Sequence, residues 1–112
     1  MISNKTLSPF YVNLNPICEA VAEHVRAKGF STPTSLDDVD GTLAKLMLVV
    51  TEVGEAAEAV RHGDRPNFEE ELADAVIRIY DLCGHMNIDL GRAVEGKMTV
   101  NAARPQKHGK LA

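Results

Sequence analysis

The stretch Thr51–Leu82, TEVGEAAEAVRHGDRPNFEEELADAVIRIYDL, contains the clearest structural pattern in this sequence. In both halves apolar residues recur every three or four positions, which is the period of an α-helix and not of a strand. Between the halves, HGDRP at 62–66 holds the glycine and the proline that end helices. A short turn makes two helices antiparallel neighbours. The stretch therefore predicts a helical hairpin, from about Leu43 to Arg61 and from Asn67 to about Cys83.

Two further helices flank the hairpin. NPICEAVAEHVRAKGF begins with Asn15 as an N-cap and ends at Gly29, and Asp89 caps a segment that runs to about Asn101. The linker STPTSLDDVDGT at 31–42 is polar and rich in helix breakers, and no stretch alternates for long with the period of a strand. The sequence therefore predicts an all-α, four-helix-bundle-type fold.

Composition and charge argue against several classes of protein. The 112 residues, 45% hydrophobic and 25% charged, suit one globular domain over 1–112. A net charge of −4 gives no reason to expect a nucleic acid polymer as a partner, and the longest apolar run, Leu46–Val50, is too short for a membrane span. The N-terminus lacks the order of a signal peptide, so we expect a cytoplasmic protein. Cys18 and Cys83 then fit two buried, reduced thiols better than a disulfide.

Four acidic residues of the hairpin form two matched pairs. Glu52 and Glu55 are three apart on one predicted helix, so they share one face of it. Glu71 and Asp74 have the same spacing on the next helix, and an antiparallel hairpin can bring both pairs level with each other. We expect the first pair to project away from the apolar stripe of its helix, which comprises Leu46, Val50, Val53 and Ala57.

Two interpretations of these pairs are open. For any single pair, a solvated acidic face with ion pairs to Arg61 or Arg78 is the simpler one. The helix is apolar on nearly every side over Leu46–Val50, however, which predicts that its carboxylates are largely buried. Carboxylates that converge in a partly buried site repel one another unless a cation compensates them, and oxygen ligands suit Mg²⁺. Two matched pairs therefore favour a metal site.

The C-terminal segment is basic. After Glu95 the chain has no acid, and its cationic residues include Lys97, Arg104 and Lys107, with His108 beside them. Lys97 and Asn101, four residues apart, share a face of the last helix. A metal that is held by carboxylates completes its shell with waters and substrate phosphate oxygens, and phosphate binds cationic side chains. These residues are therefore candidates for binding a phosphate-bearing substrate.

One short motif points elsewhere. DVDGTL at 38–43 matches the D-x-D-G-T signature of haloacid-dehalogenase-type phosphatases, whose first aspartate follows a buried parallel strand. The preceding residues, STPTSLD, cannot form that strand, so we interpret the motif as a linker with a helix N-cap. The four histidines show no metal-ligand spacing.

Taken together, EVGEAAEAVR, FEEELADAVIRIYDL and NIDLGRAVEGKMTVNAARPQKHGK resemble MazG-like nucleoside triphosphate pyrophosphohydrolases of the all-α NTP pyrophosphatase superfamily. The resemblance covers roughly Leu43–Lys110. The acidic pairs alone are a weak pattern, but K-x-x-x-N-x-x-R-P-x-x-H-G-K follows them at the expected place. The resemblance implies Mg²⁺-dependent hydrolysis of a (d)NTP between the α and β phosphates, with Mn²⁺ as a substitute metal and nucleotide-pool house-cleaning as the role.

The same resemblance implies the roles of individual residues. The metal ligands and catalytic residues would be Glu52, Glu55, Glu71 and Asp74. The triphosphate would bind to Lys97, Asn101, Arg104, Lys107 and His108. The chain has no tryptophan, which some relatives stack on the base, and Phe30 fits either that role or a place in the core.

We also expect self-association. The helix around Leu46–Val50 presents more apolar surface than one small bundle readily covers, and MazG-like proteins form dimers or dimers of dimers. A homodimer or a homotetramer is therefore predicted.

The runner-up function is a non-catalytic helical interaction module whose acidic faces are salt-bridged to a partner. An enzyme should bind Mg²⁺ and release pyrophosphate, whereas such a module should do neither.

Overall fold

The computed structural model describes residues 8–105, and within that range the chain forms four helices and no strand. The helices are α1 (Asn15–Ala27), α2 (Val39–Arg61), α3 (Arg65–Met86) and α4 (Leu90–Ala102). The prediction of an all-α chain with four helices is confirmed for these residues. Across the same range, no helix combines the length and the hydropathy that a membrane crossing needs.

Aspartates set the starts of three helices. Asp38, Asp64 and Asp89 are the N-caps of α2, α3 and α4, and each side chain accepts a hydrogen bond from a backbone N–H of the first turn. The start predicted at Asn67 is therefore wrong, because Asp64 caps α3 and accepts from the Asn67 N–H at 3.1 Å. α2 also begins earlier than expected, at Val39, because Asp38 of the DVDGTL motif caps it.

α2 and α3 form the predicted antiparallel hairpin. The turn between them is only three residues long, 62–64, and Gly63 adopts the left-handed φ of 63° that lets the chain reverse. The His62 N–H donates to the Glu58 carbonyl at 3.2 Å, which closes the last turn of α2. The two helices then pack against each other along their length.

Small residues bring α1 and α3 into close contact. A Cβ added at Gly84 would collide with the backbone carbonyl oxygen of Cys18 and would lie 2.7 Å from the Cβ of Ala22. Cys18, Ala22 and Cys83 are buried here. The two cysteines are free, which confirms the prediction of two buried thiols without a disulfide. Burial is the main cause that raises the pKa of each thiol, so both stay protonated at neutral pH.

A buried hydrogen bond fastens the segment after α1 to α3. Thr32 Oγ1 donates to Asp81 Oδ2 at 2.7 Å, and both residues are buried. One turn further along α3, His85 Nδ1 lies 2.9 Å from Asp81 Oδ1. Asp81 thus binds both the segment that leads into α2 and its own helical neighbour.

The face of α2 that turns inward carries Glu52, as expected for a buried carboxylate, and not the apolar stripe of the helix. Glu52, Ala56 and Ala59 are buried, because small alanines permit a close helix contact and Arg78 of α3 compensates the charge of the carboxylate. Leu48 and Val49 are half-buried. The apolar stripe of α2 is exposed in this chain: Leu46, Val50, Val53 and Ala57.

The described residues form two compact units, 8–15 with 89–105, and Pro16–Ile88. In the first unit the guanidinium of Arg92 stacks on the ring of Tyr11, 4.6 Å from its centroid. Gly91 is also part of this unit, and a Cβ there would collide with the carbonyl oxygen of Val12. The hairpin and α1 lie in the second unit. That the whole chain is one domain stays a prediction.

Candidate metal centre

Three carboxylates converge between α2 and α3. One side-chain oxygen from each of Glu52, Glu55 and Glu71 lies within 4.8 Å of the others. Glu52 and Glu55 come from one side of α2 because they are three residues apart. The short turn at 62–64 runs α3 back along α2, so that Glu71 meets them. We call these three residues the carboxylate triad.

Glu52 is the buried member of the triad, and it has its own counter-ion. Its side chain is 9% exposed, and its Oε2 accepts a hydrogen bond from Arg78 Nε at 2.8 Å. This hydrogen bond lowers the pKa of Glu52 and outweighs burial, which acts in the opposite direction. Glu52 is therefore ionised at neutral pH.

Glu71 experiences the opposite electrostatic effect. Burial first, and then the neighbouring carboxylates Glu52, Glu55 and Asp74, raise the pKa of its side chain. Its Oε1 is buried and has no hydrogen-bond partner in the described part of the chain. A buried polar oxygen without a partner is unfavourable, and a cation bound at the triad would satisfy it.

The donor set of the triad fits a hard divalent cation. All three residues offer carboxylate oxygens, which suit Mg²⁺ or Mn²⁺, and none offers the thiolate or imidazole that softer metals prefer. The single guanidinium of Arg78 offsets only part of the negative charge of the triad. Between residues 8 and 105, the triad is the only cluster of three or more acidic, histidine or cysteine side chains with this spacing.

Asp74, the fourth predicted ligand, lies one turn beyond Glu71 on α3. It is near enough to raise the pKa of Glu71. Its oxygens do not belong to the group that converges within 4.8 Å. Its role as a metal ligand stays a prediction.

The predicted phosphate-binding residues lie on α4 and after it. Lys97 is exposed and Asn101 is half-buried. Asn101 Oδ1 is buried and finds no hydrogen-bond partner among the residues described. Arg104 follows the helix, and its backbone N–H donates to the Asn101 carbonyl at 3.2 Å. Lys107 and His108 lie outside the described residues, and phosphate binding by all five stays a prediction.

Sequence reasoning missed a cavity whose lining includes Arg78, the hydrogen-bond partner of Glu52. It has a volume of about 360 Å³, and its titratable lining residues are His24, Lys28, Lys45, Arg78 and Asp81. Phe30 also lines it and is 66% exposed, so a core place for this ring is wrong. One signal was available in the sequence: Lys45 precedes Glu52 by seven residues, which is two helical turns and the same face.

Comparison with known proteins gives one match. Residues 41–106, more than half of the chain, match the model of the MazG nucleotide pyrophosphohydrolase domain. The matched range contains the triad, Asp74, Lys97, Asn101 and Arg104. No curated protein and no solved structure matches the chain.

Proposed function

This chain belongs to the MazG nucleotide pyrophosphohydrolase family, and we propose that it is a Mg²⁺-dependent nucleoside triphosphate pyrophosphohydrolase. It cleaves a (d)NTP between the α and β phosphates and gives the (d)NMP and pyrophosphate. The observation that carries the proposal is the carboxylate triad, in which the buried Oε1 of Glu71 has no partner among the described residues.

In this proposal the carboxylates bind and orient the metal. The triad and Asp74 ligate Mg²⁺, or Mn²⁺ in its place, and a divalent cation held there polarises the phosphate and neutralises charge. Because Glu52, Glu55 and Glu71 project from two packed helices, their oxygens are in position before the substrate binds. One of the carboxylates accepts the proton of the attacking water.

The cationic residues bind the triphosphate. In the proposal this group comprises Lys97, Asn101, Arg104, Lys107 and His108. Charge-assisted hydrogen bonds to phosphate oxygens are short and strong, and they stabilise the charge that develops on the leaving pyrophosphate. The family match, which extends to residue 106, supports the first three of these residues.

We further propose that the protein is a homodimer or a homotetramer. α2 presents a strip of large apolar side chains, each between 45% and 59% exposed: Leu43, Leu46, Met47, Val50 and Val53. A contiguous apolar patch is a solubility liability for a monomer, and a symmetric second copy is its commonest cover. Light scattering coupled to gel filtration tests this. A monomeric mass at micromolar concentration with full activity would contradict it.

Product analysis with a panel of NTPs and dNTPs tests the activity. We expect a nucleoside monophosphate and pyrophosphate, with turnover lost when a chelator removes the metal and restored by Mg²⁺. In ¹⁸O-labelled water the label should enter the monophosphate, because water attacks the α phosphorus. Label in orthophosphate instead would show a different phosphohydrolase. A chain that binds no Mg²⁺ and cleaves no nucleotide would be the helical interaction module.

The role we propose is nucleotide-pool house-cleaning in the cytoplasm. An enzyme with that role should hydrolyse non-standard nucleotides in preference to the standard ones. The same panel, extended to oxidised and deaminated nucleotides, measures this preference as a ratio of kcat/KM values. Equal or better turnover of standard nucleotides would contradict the role and would leave the chemistry intact.

A further inference from the structure

One side chain, Arg78, both binds a member of the triad and lines the neighbouring cavity. Its Nε donates to Glu52 Oε2, and the same residue lines the 360 Å³ cavity whose walls come from α1, α2, α3 and the segment after α1. The side chain of Arg78 is 39% exposed, whereas that of Glu52 is 9% exposed. The carboxylate is therefore fixed in the helix contact, while the guanidinium sits at its edge, where it has space to move.

The cavity can hold an anion, although part of its lining is apolar: Val25, Phe30, Leu48 and Ile77. Lys28, Lys45 and Arg78 are its positively charged lining residues, and His24 is a further basic one. Its one acidic lining residue, Asp81, accepts a hydrogen bond from the buried Thr32 hydroxyl and lies 2.9 Å from His85. Cationic side chains around one space are the usual environment of a phosphate group.

A metal ion bound at the triad would compete with Arg78 for the carboxylate of Glu52. The oxygens of Glu52 are part of the converging group, and one of them already carries the guanidinium. Two cations on one buried carboxylate repel each other strongly because screening is weak there. A divalent ion that binds Glu52 would therefore weaken the hydrogen bond from Arg78, and an anion in the cavity, which Arg78 lines, would offer the guanidinium a new partner.

We propose that Arg78 is a placeholder cation: it pairs with Glu52 until a divalent ion binds the triad, and it then turns to a phosphate-bearing ligand in the adjoining cavity. The inference rests on the metal site of the proposed function. It makes Arg78 a positioning residue that couples the two ligands, because each one favours the arrangement of Arg78 that the other needs. It also explains how Glu52 stays compensated in the absence of metal.

The first test titrates the protein with Mn²⁺ alone in a calorimeter. Arg78→Met removes the competing cation, so we expect Mn²⁺ to bind about tenfold more tightly than to the wild type. Lys45→Met is the matched control, because it removes a cation of the same cavity about 10 Å from Glu52 along α2. Its Mn²⁺ affinity should stay within about twofold of the wild type. Equal effects of the two substitutions, or none from Arg78→Met, would overturn the proposal.

The second test uses inorganic pyrophosphate in metal-free buffer. Glu52→Gln releases Arg78, so we expect pyrophosphate to bind about tenfold more tightly, and the double variant with Arg78→Met should lose this gain. Glu55→Gln removes the same charge from an exposed member of the triad and should change the affinity by less than about twofold. If Glu52→Gln and Glu55→Gln increase the pyrophosphate affinity equally, only the net charge matters and Arg78 is not a placeholder. The comparison of Glu52→Gln with Glu55→Gln decides the question even if Arg78→Met does not fold.

The two proposals fail in different ways. If the substitutions have both expected effects on affinity but the wild-type protein releases no pyrophosphate from any nucleotide, the proposed function is refuted and the placeholder role of Arg78 is supported. If the wild-type protein is active, but the Mn²⁺ and pyrophosphate affinities do not depend on Arg78, only the placeholder role is refuted.

Discussion

The two halves of α3 are packed in opposite ways. In the second half, Gly84 and Cys83 meet Cys18 and Ala22 of α1 directly, and the contact consists of small, uncharged groups. In the first half, Glu71 lies among other carboxylates and keeps a buried oxygen that has no partner in the described chain. The contact of Gly84 and Cys83 with α1 is complete without a ligand, whereas the carboxylates around Glu71 leave negative charge that a bound cation would neutralise. This difference separates the part of α3 that packs against α1 from the part that contributes Glu71 to the candidate site.

A substitution in the carboxylate triad should have the strongest effect, and the effect should be on activity. Glu55→Gln removes one triad charge and leaves the hydrogen bond between Arg78 and Glu52 in place. We expect pyrophosphate release to fall about 100-fold or more, with helical circular dichroism unchanged. Glu58→Gln is the control, because Glu58 is outside the triad and pairs with Arg61 at the surface. Equal losses of pyrophosphate release in both variants would contradict the assignment of the metal site to the triad.

A substitution at the contact of α3 with α1 should have the next strongest effect, on stability. Gly84→Ala places a Cβ against the carbonyl of Cys18, so α1 must shift, and we expect a loss of about 1–3 kcal/mol in the free energy of unfolding. Chemical denaturation at fixed protein concentration measures it. Gly54→Ala, also in a helix, meets no atom within 4 Å and should be neutral or stabilising by up to about 1 kcal/mol. A larger loss of stability from Gly54→Ala than from Gly84→Ala would contradict the close contact of α3 with α1.

A smaller loss is expected at the link between Thr32 and Asp81. Thr32→Val keeps the shape of the side chain but removes the hydroxyl that donates to the buried carboxylate at 2.7 Å. The free energy of unfolding should fall by about 1–2 kcal/mol, because the carboxylate loses a partner that water does not replace. Thr32→Ser keeps the donor and should lose less. If both variants unfold alike, the hydrogen bond contributes nothing.

The mildest test needs no substitution. Because burial raises the pKa of Cys18 and Cys83, each thiol carries less of the reactive thiolate at a given pH. Iodoacetamide at about pH 8 should modify the native thiols at least about tenfold more slowly than those of the denatured chain. Since the folded pKa values are raised, alkaline pH should also lower stability, as thiolates form first in the unfolded chain. Fast native alkylation would show that the contact of α1 with α3 opens.

The local parts of the fold were predictable from the sequence. Residues three apart share a helix face, and a turn with glycine reverses the chain, so the hairpin and the convergence of Glu52, Glu55 and Glu71 follow from spacing. The inward face of α2 did not follow. Apolar periodicity assumes that a chain covers its own large side chains, whereas the buried face here carries Glu52 with Ala56 and leaves Val50 and Val53 exposed.

The long-range pairs were not predictable for a different reason. The hydrogen bond from Arg78 to Glu52 joins residues 26 apart, and the one from Thr32 to Asp81 joins residues 49 apart. Each depends on side-chain rotamers and on the final register of packed helices, which no repeating pattern in the sequence encodes. The cavity depends on the same geometry, since its lining comes from three helices and a connecting segment.

The three-residue turn at 62–64 also bears on the order of folding. A short loop costs little entropy to close, and contacts between residues near in sequence form fast. The hairpin of α2 and α3 can therefore assemble before the more distant link between Thr32 and Asp81 is made. We therefore expect the mutually repelling carboxylates to come together early, before α1 is attached. Arg78 lies within the same hairpin, so the charge that offsets Glu52 is present from that first step.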